Sequence, residues 1–291
     1  MVMQVREKAF VGITHTAALF SLAAVFGIIF SVFREGIPLF CTISIGDFIF
    51  GSAWYPTHAE TPQFGVLYLL IGSLLVTLGA LMIAVPLGLG SAIFISEIAT
   101  PRLKEIAKPI VELLAAIPSV VYGLFGMMVL APFVRELINL NTGLNLFSTS
   151  IILGLMVLPI ISSMSEDALA NVPKQLREAS LALGATSWET IAKVVVPAAR
   201  RGIVGSVLQG FGRAIGETMV VLMVAGGSAQ IPKSIFDSIR PLTSTIAAEM
   251  GETVIGDLHY RVLFAIAGLL FIITFVINLV ADLVFLKRKV K

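Results

Sequence analysis

Arg213 and Glu217 stand four residues apart in an otherwise apolar run, Gly210-Phe211-Gly212-Arg213-Ala214-Ile215-Gly216-Glu217-Thr218-Met219. In a helix, positions i and i+4 share a face, so the carboxylate can partly neutralise the guanidinium. A lone charge near a bilayer centre costs at least about 2.5–3.5 kcal/mol, and such residues face a protein interior or a wet path. There the arginine offers a planar fork of N–H donors that suits a tetrahedral oxyanion, while Glu217 holds the fork when no anion is present. Phosphate, sulfate and molybdate fit this fork equally well. The competing reading is a weld between two helices, with Gly212 and Gly216 as a small-residue face that lets a neighbouring helix approach.

Other chemistries find little support. His15, His58 and His259 are scattered and do not form a metal-ligand spacing. The lone Cys41 cannot form an intrachain disulfide. No Gly-x-x-x-x-Gly-Lys-Ser/Thr loop is present to cradle ATP, so nucleotide must be handled by another chain. A membrane-embedded enzyme would need a nucleophile with its base, or a metal set, and neither is visible. A net charge of +2, with basic residues strung along loops, points away from nucleic acid.

The elements that must position the charged pair are membrane helices. Of 291 residues, 57% are hydrophobic and only 13% charged, and the mean hydropathy is +0.97, which defines an integral membrane protein. Six spans are expected, at about 10–33, 64–95, 109–134, 147–164, 202–227 and 262–286. Pro86, Pro118 and Pro159 fall inside spans and predict kinks or freed carbonyls. The loop at 34–63 and the loop at 228–259 read as external, with Trp54 and Tyr55 expected at the headgroup level and an embedded helix within 235–248. Arg6, Lys8, Arg102, Lys104, Lys108, Lys174, Arg177, Lys193, Arg200, Arg201 and the C-terminal Lys287, Arg288, Lys289 and Lys291 gather on one side. Arg34, Arg135, Lys233, Arg240 and Arg261 fall on the other. The positive-inside rule then puts both termini in the cytoplasm.

One cytoplasmic stretch is polar. Pro173 suits a first helical turn, and Gly184 can end that helix in the left-handed conformation. Thr186 and Glu189 have capping-box spacing for a second helix, and Pro197 is expected to break its far end. The reading is helix, sharp turn, helix.

Glu178, Ala179, Ser180, Gly184, Val194, Val196 and Pro197 resemble the EAA loop of ABC importer permeases, with Ser for the second Ala and Val for the usual Ile and Leu. The Gly-Arg-Ala-Ile-Gly-Glu-Thr-Met run, with Pro118-Ser119-Val120-Val121-Tyr122-Gly123, resembles the phosphate-specific permeases of the PstC/PstA type. The long first external loop with Trp54 and Pro56 is more like the PstC member. The resemblance implies an all-α, six-span permease of the type I, MetI-like fold. It treats residues 1–291 as one domain, with a core at about 64–286 and a coupling loop at 170–200. It implies Arg213 and Glu217 in the substrate pathway, and Glu178, Ala179, Ser180, Gly184, Trp188 and Pro197 at the ATPase contact.

The implied partners are a sister permease (PstA-like) in a heterodimer, two cytoplasmic ATP-binding subunits (PstB-like) and an external phosphate-binding protein (PstS-like). All would work in the inner membrane of a bacterium or archaeon. ATP and magnesium would be used by the partner ATPase, with no cofactor in this chain. From the residues alone, a second copy could replace the sister chain. Two other readings stay open beside phosphate import: a permease for sulfate or molybdate, and an ATP-independent secondary transporter in which Glu217 carries a proton. Transporters of that second kind often show inverted repeats, and none is evident here.

Overall fold

Apolar runs in lipid can satisfy their own backbone donors and acceptors only as helices or closed barrels, and this chain is built of helices. The computed structural model describes residues 2–58 and 61–286, with side chains at 10–58 and 61–280. The side chains of Arg6 and Lys8 and the basic run at 287–291 lie outside that range.

Helix α1 (Val2–Gly36) leads through a 3-10 turn (Ile37–Cys41) to α2 (Ile45–Phe50) and a short antiparallel pair, β1 (Trp54–Tyr55) with β2 (Gln63–Phe64). Then come α3 (Leu67–Ile93), α4 (Pro101–Ala116), α5 (Ser119–Phe125), α6 (Ala131–Ile138) and α7 (Leu146–Ala170). The chain continues as α8 (Lys174–Ala182), α9 (Ser187–Thr190), α10 (Val196–Ile215), α11 (Met219–Val224), α12 (Leu242–Glu249) and α13 (Leu258–Leu286). π-helical turns at Phe94–Ile98, Gly126–Leu130 and Ile191–Val195 extend α3, join α5 to α6 and join α9 to α10.

The centre is a close packing of α3, α7 and α10, where Val76, Ala80 and Ala84 meet Ile152, Leu153, Val157 and Ile161. Hydrogen bonds tie these helices together, from Ser91 to Ser162 at 2.7 Å and from Ser165 to Ser206 at 2.6 Å. Glycine sets the approach of α10 to α7. A Cβ at Gly202 would lie 2.3 Å from the Ala168 methyl, and one at Gly210 would lie 2.9 Å from the Ile161 side chain. The expected close face at Gly212 and Gly216 is not where the helices touch most tightly: a Cβ at Gly212 would have ordinary contact at 3.8 Å with Asn278, and one at Gly216 would meet only its own helix.

Among the described residues, five helical stretches are long and apolar enough to span a membrane: Phe10–Cys41, Leu67–Ile98, Ser119–Ile138, Leu146–Ala170 and Leu258–Val280. Two of the expected spans need correction. The third span begins at Ser119 rather than near 109, because Ile117 precedes a proline and is extended (φ −64°, ψ 127°), which separates the amphipathic α4 from α5. The Leu114 carbonyl beside that break accepts the Tyr122 hydroxyl at 2.9 Å. The expected span at 202–227 is not one helix but α10 and α11, divided at Gly216–Thr218. Pro86 and Pro159 lie inside continuous helices.

The segments read as external gather at one end, where Leu39, Phe48, Trp54, Phe64, Val66, Leu242, Val262 and Leu263 share a core. The expected embedded helix is α12, whose first four residues are buried. Trp54 does not sit at a free surface: it is buried, and its indole donates to Glu249 at 3.0 Å. Arg240 and His259 hold the same carboxylate, each at 2.8 Å. The segments read as cytoplasmic meet at the other end, around Ala92, Leu169, Val172, Val195 and Ala199.

Candidate functional site

At the break between α10 and α11, the chain leaves the helix at Gly216 and resumes it at Met219. Glu217 is buried there and organises the interruption. One carboxylate oxygen accepts from the backbone N–H groups of Met219 (3.1 Å) and Val220 (3.4 Å), which are free donors of the new helix. The other faces Nη1 of Arg213 at 3.1 Å. The Glu217 carbonyl accepts from the Thr243 hydroxyl of α12 at 2.7 Å, and its N–H donates to the Ala214 carbonyl at 3.2 Å. The sequence reading placed the pair on one unbroken helix. They do meet, but across a helix end, because the carboxylate competes for backbone donors that a continuous helix would have used.

The two partners are unequal. The Glu217 side chain is 3% exposed and fixed from two sides, whereas that of Arg213 is 47% exposed. The guanidinium can therefore turn to another acceptor while the carboxylate stays in place. Thr243, which steadies the break, gave no signal in the sequence because it is brought in from 26 residues away.

The second region is the polar stretch. Pro173 caps α8, and Gly184 takes φ +85° beyond its end, with nothing within 4 Å of the position a Cβ would fill. Thr186 and Glu189 make the full capping box of α9. The Glu189 carboxyl is held below the usual carboxylate range by the Thr186 backbone N–H first and then by Lys193. Pro197 does not end the second helix. The π-helical turn before it lets the Val196 N–H bond back to Ile191, and the helix runs on through Pro197 to Ile215. A proline at the start of a new register loses no donor that the helix needs.

Glu178, Ala179, Gly184, Trp188 and Pro197 are exposed. Ser180, the departure from the usual alanine, shares a hydrogen bond of 2.9 Å with Thr190 across the turn. Leu183 is 90% exposed and Trp188 66%, so apolar side chains stand free on either side of the turn. Sequence reading passed over Leu183 because it looked like one more helix residue. It also passed over Arg177, whose guanidinium reaches Glu97 at the end of α3 and the last carbonyls of α7. Nearby, Lys104 and Lys108 of α4 bind Glu166 at 2.7 and 2.6 Å, and Lys108 also binds Asp167 at 2.8 Å. Hydrogen bonds to Asp167 and Glu166 hold the Lys108 ammonium well above the usual lysine range.

Residues 84–289 match the family described as "Binding-protein-dependent transport system inner membrane component". A protein of Bacillus subtilis named "Probable ABC transporter permease protein YqgH" is 39% identical, over 96% of this chain and 90% of the relative. "Phosphate transport system permease protein PstC" of Mesorhizobium japonicum is 36% identical, over 94% of this chain and 88% of the relative. The protein of that name in Haemophilus influenzae is 36% identical, over 84% and 82%. In fold, the chain is like a bacterial alginate ABC transporter chain, with TM-score 0.57 and 16% identity over 93% of this chain and 94% of that one. It is also like a chain of the MetNI methionine ABC transporter, with TM-score 0.54 and 23% identity over 75% and 91%.

Proposed function

This chain belongs to the family of inner-membrane components of binding-protein-dependent transport systems, and from that premise we propose that it carries inorganic phosphate into the cytoplasm, with Arg213 as the residue that meets the anion. As an ABC importer permease it forms a channel and leaves catalysis to other chains. Nucleotide and magnesium belong to the partner ATPase.

The observation that carries the substrate reading is the asymmetry at the α10–α11 break: a locked, buried carboxylate holding a half-exposed arginine. A phosphate arriving there competes with Glu217 for the same N–H fork, and the arginine has somewhere to return when the anion leaves. Interrupted helices inside a membrane are tolerated where they are buried in protein or line a wet cavity. On this reading 196–224 is the fifth crossing in chain order, a broken one that brings the total to six, and 1–291 is a single permease domain. The names of the phosphate relatives favour phosphate over the other oxyanions.

The full machine is a heterodimer with a PstA-like sister chain, two PstB-like ATPase subunits seated on the turn around Gly184, and a PstS-like phosphate-binding protein outside. Glu178, Ala179, Ser180, Trp188 and Pro197 belong to the ATPase-facing element, whose second helix leads directly to Arg213. Both termini are cytoplasmic, so a thiol reagent that cannot cross the membrane labels Lys233→Cys in intact cells and leaves Lys174→Cys unlabelled.

The decisive experiment is uptake of radiolabelled phosphate into vesicles carrying the complete complex. Arg213→Gln abolishes uptake while the ATPase still co-purifies, and Arg213→Lys restores little because it lacks the planar fork. Normal phosphate uptake by Arg213→Gln refutes the pathway role. Uptake of sulfate in preference to phosphate by the unmodified complex refutes the substrate.

A further inference from the structure

Helix α8 buries none of its own residues. An amphipathic helix is normally held by an apolar face, so its position must be fixed in another way. Two attachments are visible. At its far end Ser180 bonds to Thr190, linking it to α9. At its near end Arg177 reaches into the bundle.

There the Arg177 guanidinium makes four hydrogen bonds. Nε donates to Glu97 Oε2 at 3.1 Å and Nη2 to Glu97 Oε1 at 2.8 Å, the bidentate fork that gives arginine–carboxylate pairs their geometric specificity. Nη2 also donates to the Leu169 carbonyl at 2.9 Å, and Nη1 to the Val172 carbonyl. Those carbonyls lie at and just beyond the end of α7; that of Leu169, whose α-helical donor position is taken by Pro173, also accepts from the Val172 N–H at 3.1 Å. Glu97 sits in the π-helical turn that ends α3, its side chain only 8% exposed, and Ser96 donates to it at 2.8 Å. One side chain of α8 thus grips the ends of both α3 and α7, two of the three central helices of the bundle. Lys104 of α4 stands beside the same carboxylate, and Ser96, Glu97, Lys104, Lys174, Arg177 and Glu178 line a cavity of about 420 Å³ at this contact. The grip is polar and solvated at its edge, so apolar packing does not duplicate it.

We propose that Arg177 is a positioning residue for transport: through its fork on Glu97, movement imposed on α8 is passed to α3 and α7, while the continuous helix from α9 passes it to α10. This rests on the reading of the polar stretch as the ATPase-coupling element. Without the fork, α8 is tied to the bundle only by the chain at 171–173 and by α9, and it rocks without carrying α3 and α7.

The test uses the complete complex in vesicles and reads phosphate moved per ATP hydrolysed. Arg177→Gln and Glu97→Gln lower this ratio by about tenfold, within the range over which two sites in a protein are typically coupled, while ATP hydrolysis persists. Arg177→Lys, which keeps the charge without the fork, gives an intermediate ratio. The exchange Arg177→Glu with Glu97→Arg recovers little, because a carboxylate at 177 cannot donate to the Leu169 and Val172 carbonyls and an arginine at 97 stands beside Lys104. An unchanged ratio in both single variants overturns the proposal, and so does an Arg177→Lys variant no better than Arg177→Gln.

A second measurement does not depend on substrate. Spin labels at Met164 on α7 and Leu181 on α8, with Cys41→Ser to remove the native thiol, keep one narrow distance with and without ATP. In Arg177→Gln the distance broadens. If the unmodified complex changes this distance on ATP binding, α8 moves independently and the proposal falls. Should the complex carry sulfate instead, the phosphate reading fails, while the sulfate ratio and the label distance still decide the role of Arg177.

Discussion

Glu217→Ala and Glu217→Gln remove different things from the same carboxylate. The alanine variant takes away the acceptor for the N–H groups of Met219 and Val220, which lie at 3.1 and 3.4 Å, and leaves buried donors unpaired. Losing a helix cap costs about 0.5–2 kcal/mol, and an unsatisfied buried donor costs about 1–3 kcal/mol. The Arg213 pair adds little, about 0–1 kcal/mol, because the arginine is close to half exposed. A local loss of about 2 kcal/mol follows, a factor of about 30 in opening. Glutamine keeps a carbonyl oxygen in the capping place and loses only the charge, so its loss stays below about 1 kcal/mol, or a factor of about 5. Hydrogen exchange at the amides of Met219 and Val220, in the purified complex, measures these openings directly. Equal acceleration in both variants would show that charge rather than acceptor geometry holds the break. Unchanged protection in the alanine variant would mean that Thr243 alone suffices, and the account of Glu217 as organiser would be wrong.

Gly184→Ala forces a Cβ into the left-handed region at a cost of about 1–2 kcal/mol. No contact within the chain lies within 4 Å of that Cβ, so co-purification with the ATPase weakens while the thermal midpoint of the spans stays put. Gly202→Ala drives a methyl to 2.3 Å from that of Ala168, an overpacking of about 1–3 kcal/mol. Ala168→Gly in the same chain restores the melting temperature. The Glu189 carboxyl is depressed in the fold, so its contribution to the α9 cap is present above the ordinary glutamate value of about 4.3 and is lost as pH falls through the folded value. Exchange at the Thr186 amide, corrected for its intrinsic pH dependence, stays protected at neutral pH and loses that protection only at a pH below the ordinary glutamate range.

What could be read from the sequence was local. The Gly184 turn and the Thr186–Glu189 box are settled within a few residues by backbone sterics and reciprocal hydrogen bonds, and both formed as expected. The long apolar runs gave most of the spans by length alone. What escaped depends on register or on distance. A π-helical turn carries the helix through Pro197, and nothing in the residue types of Ile191–Val195 announces it. The break at Gly216 arises because Glu217 prefers backbone donors, a competition that spacing rules do not weigh. Trp54 looked like an interfacial ring because its acceptor, Glu249, is 195 residues away. Arg177 looked like one more inside charge because its acceptor, Glu97, is 80 residues away.

The uncovered side of Arg213 has a consequence for how the protein must be made. An unassembled copy in the bilayer turns a guanidinium, with 47% of its side-chain surface free, toward lipid or a water defect, at a cost of at least about 2.5–3.5 kcal/mol. A partner that covers this surface recovers that cost on assembly. On the proposed reading, copies synthesised in excess of the partner permease keep an uncovered intramembrane charge, and matched synthesis of the two chains then serves stability as well as transport.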